Sequence, residues 1–249
     1  MSEAIEAGAL YVVSTPIGNL GDITHRAAHV LAGVDLIAAE DTRTSRILLD
    51  HLGIRTPLVS YHSHNEDRRA RELIRHLREG KSVAVVTDAG TPGVSDPAHA
   101  VIAEAVAHGL RVIPIPGASA LLAALVSSGL PMDRFAFEGF LPVKKGRSTR
   151  LTALAEEVRT IVLYESPHRV VRTVRDLFER LGDRPSAVAR ELTKKFEEIT
   201  RGPLSQVLQH LERREPRGEY VVVVAGTGYR PAASRRATTE TDDQTGDES

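Results

Sequence analysis

Three stretches of small, turn-forming residues each follow a short apolar run, and each leaves its main chain open to a ligand. They are Ser14-Thr-Pro-Ile-Gly-Asn-Leu-Gly21, Thr87-Asp-Ala-Gly-Thr-Pro-Gly-Val-Ser-Asp-Pro97 and Pro114-Ile-Pro-Gly-Ala-Ser-Ala120. The first stands where a Rossmann phosphate loop would, yet it has neither G-x-G-x-x-G nor the Lys-Ser/Thr of a P-loop. In the second, Asp88 at a strand end can accept hydrogen bonds from a ribose or an ammonium group, or it can simply form a turn. The third enters a helix whose free N–H groups suit a carboxylate, or are capped by Ser119. Glu40-Asp41-Thr42-Arg43 offers adjacent carboxylates beside a guanidinium, either a base with its orienting partner or a helix cap with a surface ion pair. Tyr61-His-Ser-His-Asn-Glu66 puts His62 and His64 on one face of a strand, but no third ligand has metal-site spacing, so no metal is expected. Lys144, Lys145, Arg147 and Arg150 lie in a run without an acid from Gly139 to Ala155, just after Phe135, Phe137 and Phe140. Cations beside aromatics suit single-stranded nucleic acid, and the same residues also fit a solvated helix face over core phenylalanines. Tyr164–Arg169 and Arg190–Lys195 add polar groups after later strands.

The elements that must position these loops alternate. Strands are predicted at 10–14, 35–39, 58–61, 82–87 and 111–115. Helices are predicted from Asp22 to about Ala32, up to His51, from Asn65 to Gly80, from Ser95-Asp96-Pro97 to about His108, and from Ala118 to Ser128. Such alternation implies a mainly parallel sheet covered on both faces, with ligands at the carboxyl ends of its strands. After Gly129–Pro131 the pattern changes. Strands at 134–140, 160–164, 186–191, 197–201 and 220–225, with helices up to Glu157, from Ser166-Pro167 to Gly182 and after Pro203, imply a mixed sheet. The expected organisation is two α/β lobes, 1–130 and 131–228, followed by a disordered tail at 229–249 with almost nothing to bury.

Composition sets outer limits. The 249 residues are 41% apolar and 26% charged, enough for one large or two small globular cores. The absence of cysteine excludes disulfides, thiolate nucleophiles and Cys-ligated metal centres. The N-terminal residues have no signal-peptide pattern and no apolar run spans a bilayer, so a cytoplasmic location is expected. Net charge is −1 overall but unevenly spread. Residues 1–130 carry 11 basic and 14 acidic groups, 131–228 carry 18 and 14, and 229–249 carry 3 and 5. The basic second lobe is compatible with a phosphate-bearing partner, or with scatter.

Taken together, eight segments in order resemble one family. They are STPIGNLGDIT at 14–24, EDTR at 40–43, YHSHNE at 61–66, DAGTPGVSDP at 88–97, PGASA at 116–120, GFLPVKKG at 139–146, YESPHR at 164–169 and RELTKKFEE at 190–198. They resemble the small-subunit ribosomal RNA methyltransferases of the tetrapyrrole (corrin/porphyrin) methylase superfamily, from about residue 10 to 226. The resemblance implies an S-adenosylmethionine-dependent enzyme that methylates the ribose 2′-hydroxyl of a cytidine in the decoding region of 16S rRNA. It also implies a homodimer of two-domain chains with the cofactor between the domains. Carried over residue by residue, it assigns cofactor contacts to Pro16, Asp88, Ala89, Gly90, Thr91, Val94, Ser95, Ser119 and Ala120, and from the second lobe to Leu163, Tyr164, Gly202 and Pro203. Thr87, Val94 and Ala98 are slight departures from the family pattern.

A ribose hydroxyl must lose a proton to accept a methyl group, and Asp41, Glu40, His62 and Glu165 are the candidates to take it. Asp41 is favoured, with Arg43 holding either it or a phosphate. Substrate contacts are assigned to His62, Asn65, Lys144, Lys145, Arg147, Arg150 and Arg169. Two other readings stand beside this one: a small-molecule C-methyltransferase of the tetrapyrrole type, and a non-catalytic ribosome-assembly factor that binds RNA.

Overall fold

The computed structural model describes residues 4–63 and 65–229. The chain divides into two compact units, one of Met1–Ala124 with Ala189–Glu198, the other of Leu125–Val188 with Ile199–Ser249. The division falls at 124/125, not near 130, and the second unit is not continuous, because residues 189–198 group with the first. The tail expected to be disordered lies outside the described residues from 230 onward. No helix among the described residues is long and apolar enough to cross a membrane.

The first unit carries strands β1 (Leu10–Val13), β2 (Leu36–Ala39), β3 (Leu58–Ser60), β4 (Val83–Val86) and β5 (Val112–Ile115). Its helices are α1 (His25–Gly33), α2 (Thr42–His51), α3 (Glu66–Arg78), α4 (His99–Ala107) and the start of α5 (Ala120–Ser128). The sheet order is β3-β2-β4-β1-β5 and its pairings are parallel. Strand residues alternate between two cores. Tyr11, Val13, Ile37, Ala39, Ala84 and Val86 pack with Ala27, Val30 and Leu31 of α1 and Leu49 of α2. Leu10, Val12, Ala38, Val83 and Val85 pack with Leu73, Ile74 and Leu77 of α3 and Val101 and Ala105 of α4. The chain thus winds out to β3 over one face and back over the other, as crossovers of a single hand require.

Two helix starts differ from expectation. Thr24, not Asp22, caps α1, its hydroxyl accepting from the Ala27 N–H at 3.0 Å, while Leu20–Asp22 forms a 3-10 turn. α4 begins at His99, not at Pro97. Ser95 is left-handed, with φ 72°, and the Asp96 carboxylate takes the N–H groups of Gly93 (2.6 Å) and Ala98 (3.0 Å), so residues 93–98 form a loop. The phenol of buried Tyr61 then accepts from the Val101 N–H at 3.1 Å and donates to the Pro97 carbonyl at 3.2 Å, satisfying the new helix start from β3's end.

The second unit is built on β6 (Phe135–Phe140), β7 (Thr160–Glu165), β8 (Pro185–Arg190), β9 (Glu198–Pro203) and β10 (Tyr220–Val224), with α6 (Arg147–Ala155), α7 (Val170–Leu181) and α8 (Leu204–Glu212). The sheet order is β6-β7-β10-β8-β9, with β6–β7 parallel and β7–β10 antiparallel, so the sheet is mixed. Ile161, Leu163, Val188, Tyr220, Val222 and Val224 pack with Leu151, Leu154, Val174, Leu177, Leu204 and Val207 of the helices.

A buried polar chain runs through this unit. Glu165 accepts from the Ser166 N–H (2.8 Å) and the Thr173 hydroxyl (2.7 Å), and pairs with Arg169 at 3.3 Å. Thr173 in turn accepts from Arg147 at 2.9 Å, and Arg147 pairs with Asp176 at 2.8 Å and donates to the Pro142 carbonyl at 3.2 Å. Arg169 also donates to the Leu141 carbonyl. Two residues assigned to RNA are therefore built into the fold: Arg147, 5% exposed, ties α6 to α7, and Arg169 ties the start of α7 to the 141–142 turn. Removing one partner of such a buried pair strands the other. Arg147→Ala should lower the unfolding free energy by about 3 kcal/mol in a denaturant titration. A Lys144→Ala/Lys145→Ala variant, altering two exposed side chains, should unfold at the wild-type midpoint.

Candidate active site

The loops after β1 and β2 lead to helices on one face of the first sheet, while the loop after β4, which lies between those strands, leads to the other face. Divergence of this kind opens a crevice at the carboxyl ends. On one side of β4, Thr15 and Gly90 exchange main-chain hydrogen bonds of 2.9 and 3.1 Å. The Thr15 hydroxyl donates to the Thr87 carbonyl at 3.1 Å, and the Ser14 and Thr91 hydroxyls lie 2.9 Å apart. The third loop joins them at Gly117, where an added Cβ would stand 2.8 Å from the Ser14 Cβ. Close approach of backbones requires glycine there. Gly90 and Gly93 have φ of 88° and 89°, so the β4 loop curls through left-handed conformations that glycine adopts without strain.

These hydrogen bonds and close approaches bring the loops carrying Pro16, Asp88, Ala89, Gly90, Thr91, Val94, Ser95, Ser119 and Ala120 to one edge of one unit. Ser119 precedes α5, and its hydroxyl faces the Leu122 N–H at 3.5 Å. The four second-unit residues assigned with them are not clustered in their own sheet. Leu163 and Tyr164 are on β7 and Gly202 and Pro203 on β9, with β10 and β8 between. Tyr164 meets Phe137 and Phe140 edge to face, with centroids 4.9 and 5.8 Å apart.

On the other side of β4 three carboxylates gather. Glu40 accepts from the Thr87 hydroxyl at 2.7 Å, and Asp88 accepts from the Asp41 N–H at 3.0 Å. Asp41 caps α2 through the Arg43 N–H (2.8 Å) and is held by the Arg43 side chain at 2.7 to 3.2 Å. Hydrogen bonds from the Arg43 guanidinium and N–H lower the Asp41 pKa to about 2, which weakens it as a proton acceptor while it caps α2. Asp88 is shifted the opposite way, above the usual carboxylate range. Lost hydration raises it most, and the charges of Glu40 and Asp41 add to this against the Asp41 N–H and Arg43. Glu165, another candidate base, is buried and fully engaged in the second unit.

Of the remaining residues, Asn65 and His62 form one turn: the His62 N–H donates to the Asn65 side chain at 2.9 Å, and the Asn65 N–H to the His62 carbonyl at 2.9 Å. His64 lies outside the described residues, and among the described residues no group of three His, Asp or Glu side chains is arranged to hold a metal ion. Arg150 is paired with Glu138, while Lys144 and Lys145 are exposed. Sequence reasoning missed Lys194. Its aliphatic stem covers Gly18, where an added Cβ would meet its Cγ at 2.4 Å, so the 191–197 loop bears on the loop after β1. Gly18 (φ 148°) was the one local signal of that close approach.

Residues 9–208 match the family model described as Tetrapyrrole (Corrin/Porphyrin) Methylases. A protein of Synechocystis sp. named Ribosomal RNA small subunit methyltransferase I is 52% identical over 221 residues, covering 88% of this chain and 79% of that protein. Among solved structures, a diphthine synthase has a TM-score of 0.71 at 16% identity, covering 89% of this chain and 91% of that one. The uroporphyrin-III C-methyl transferase of Thermus thermophilus, solved with S-adenyl homocysteine, has a TM-score of 0.62 at 22% identity, covering 87% and 97%. The motifs, the two α/β units and the family match agree: the chain belongs to the tetrapyrrole (corrin/porphyrin) methylase family.

Proposed function

We propose that the chain transfers the methyl group of S-adenosylmethionine to the ribose 2′-hydroxyl of a cytidine in the decoding region of 16S rRNA. The observation that carries this reading is the trio of stitched loops at the carboxyl edge of the first sheet, in a chain half-identical to a small-subunit rRNA methyltransferase. The residues present fit the cofactor. Gly93 and Gly117 are exposed glycines in the loops after β4 and β5, Asp88 supplies an acceptor for hydroxyl or ammonium donors, and the α5 start supplies N–H groups for a carboxylate. A bound sulfonium supplies a methyl group already activated for displacement.

The chain's own contribution is then largely positioning. Asp88, Ala89, Gly90, Thr91, Ser119, Ala120, Pro16, Val94 and Ser95 are the residues of the first unit that would hold the cofactor. Leu163, Tyr164, Gly202 and Pro203 are the assigned contacts from the second unit. On the RNA side, Lys144 and Lys145 remain exposed cations for phosphate, with His62 and Asn65 near the β3 end. Arg147, Arg150 and Arg169 act indirectly, by shaping the segment that carries the two lysines. The target nucleotide must be unstacked to be reached. A cytoplasmic homodimer completes the reading, and light scattering tests its stoichiometry.

The deciding experiment offers labelled S-adenosylmethionine to small ribosomal subunits lacking the modification, followed by nucleoside mass analysis. The expected product is 2′-O-methylcytidine. Label on a porphyrinoid and none on RNA would overturn the proposal. Asp41→Asn should lower turnover by less than about tenfold, whereas loss of a general base costs about 10²–10⁴-fold. Asp88 has a pKa raised by folding, so its ionised form opposes folding at neutral pH and this cost vanishes as pH falls through the raised pKa. Asp88→Asn should therefore raise the Tm at pH 7 while weakening S-adenosylmethionine binding about 10- to 100-fold by calorimetry.

A further inference from the structure

The loop between β8 and β9 is more constrained than a strand connection requires. Glu191 and Thr193 both adopt left-handed backbone conformations, with φ 50° and 67°, and neither is glycine. Such conformations persist only where the surroundings enforce them, and they gather at functional positions. Here the enforcement is visible. The Thr193 N–H donates to the Glu197 carboxylate at 2.6 Å, and the Lys194 N–H to the Glu191 carbonyl at 3.0 Å. Lys194 Nζ pairs with Glu191 at 2.9 Å while its stem lies on Gly18, and Arg190 faces Glu198 at 3.7 Å. Each of the loop's acids thus has a partner within the same segment.

The loop presents Phe196, 62% exposed, with the Lys195 ammonium 5.6 Å from its ring centroid. The ring does nothing for the core, yet it is carried on a strained and braced loop. We infer that Phe196 and Lys195 form a stacking platform for an unpaired base of the RNA substrate, the ring taking the base and the ammonium its phosphate. An exposed aromatic ring with a cation over one face, unpaired by any acid among the described residues, is the arrangement that single-stranded nucleic acid recognises without regard to sequence. The inference rests on the reading that RNA is the substrate. It adds a contact in the first unit, on the segment covering the loop after β1.

The test uses the full chain and Phe196→Ala, Phe196→Trp and Lys195→Ala. Phe196→Ala should raise the KM for unmodified small subunits about 5- to 150-fold, with S-adenosylmethionine affinity unchanged. Phe196→Trp, which keeps a stacking face, should restore the wild-type KM. Lys195→Ala should reduce the slope of log affinity against log salt for a short unstructured RNA by about one. An unchanged KM in Phe196→Ala would overturn the platform. So would a KM defect that tracks loss of an oligomer in light scattering, since the ring would then be an interface between copies. If the wild-type chain modifies no subunits, the functional reading fails separately. Anisotropy with the short RNA then decides the platform alone: binding lost in Phe196→Ala supports it, and equal binding or none by wild type overturns it.

Discussion

The two main-chain hydrogen bonds between Thr15 and Gly90 tie together the loops that matter most. Parallel strands diverge into their helices at the carboxyl edge, and nothing in the sheet ladder restrains the loops beyond it. β1 and β4 lead to opposite faces, so their loops would part immediately without this bridge. With it, the β1 loop stays beside the β4 loop, Ser14 comes within reach of Thr91, and Gly117 closes against Ser14. Main-chain bonds do this without occupying side chains. The loop surface can therefore remain small-residue and open, which a ligand lying along it requires.

The two units treat buried or crowded charge in opposite ways. In the second, Glu165, Thr173, Arg147, Asp176 and Arg169 complete one another's hydrogen bonds, and the network tethers the 141–142 turn. In the first, Glu40, Asp41 and Asp88 crowd at one edge, and the Arg43 guanidinium is committed to Asp41. A network that closes on itself gives rigidity, and a carboxylate that has lost hydration, as Asp88 has, keeps affinity for a donor that arrives later. The difference separates supporting residues from candidate binding residues better than residue type does.

Much of the fold was legible because its signals are local. Alternating apolar strands and Gly or Pro punctuation placed each strand within a residue or two, and the Gly and Pro of residues 88–97 and 116–120 marked both segments as loops. Where the structure adds what the pattern lacks, the cause is common. Arg147 and Arg150 read as free cations because no acid lies near them in sequence, yet their partners Asp176 and Glu138 arrive from α7 and β6. α4 starts late because Tyr61, on another element, and the left-handed Ser95 decide it. Asp41 looked like a base because pattern alone cannot show a guanidinium folded back onto it. The placement of Lys194 over Gly18 spans most of the chain and had no local signature beyond the glycine.

The excursion of residues 189–198 into the first unit has a consequence for how the chain can be made and cut. Each unit has its parts on both sides of a piece of the other. A ribosome that has released only the first 124 residues has made a complete parallel sheet but not the segment that covers Gly18. No single cleavage point yields two intact halves. A recombination event that exchanged one unit between relatives would have to cross the gene three times. The connectivity makes the pair of units a single heritable module.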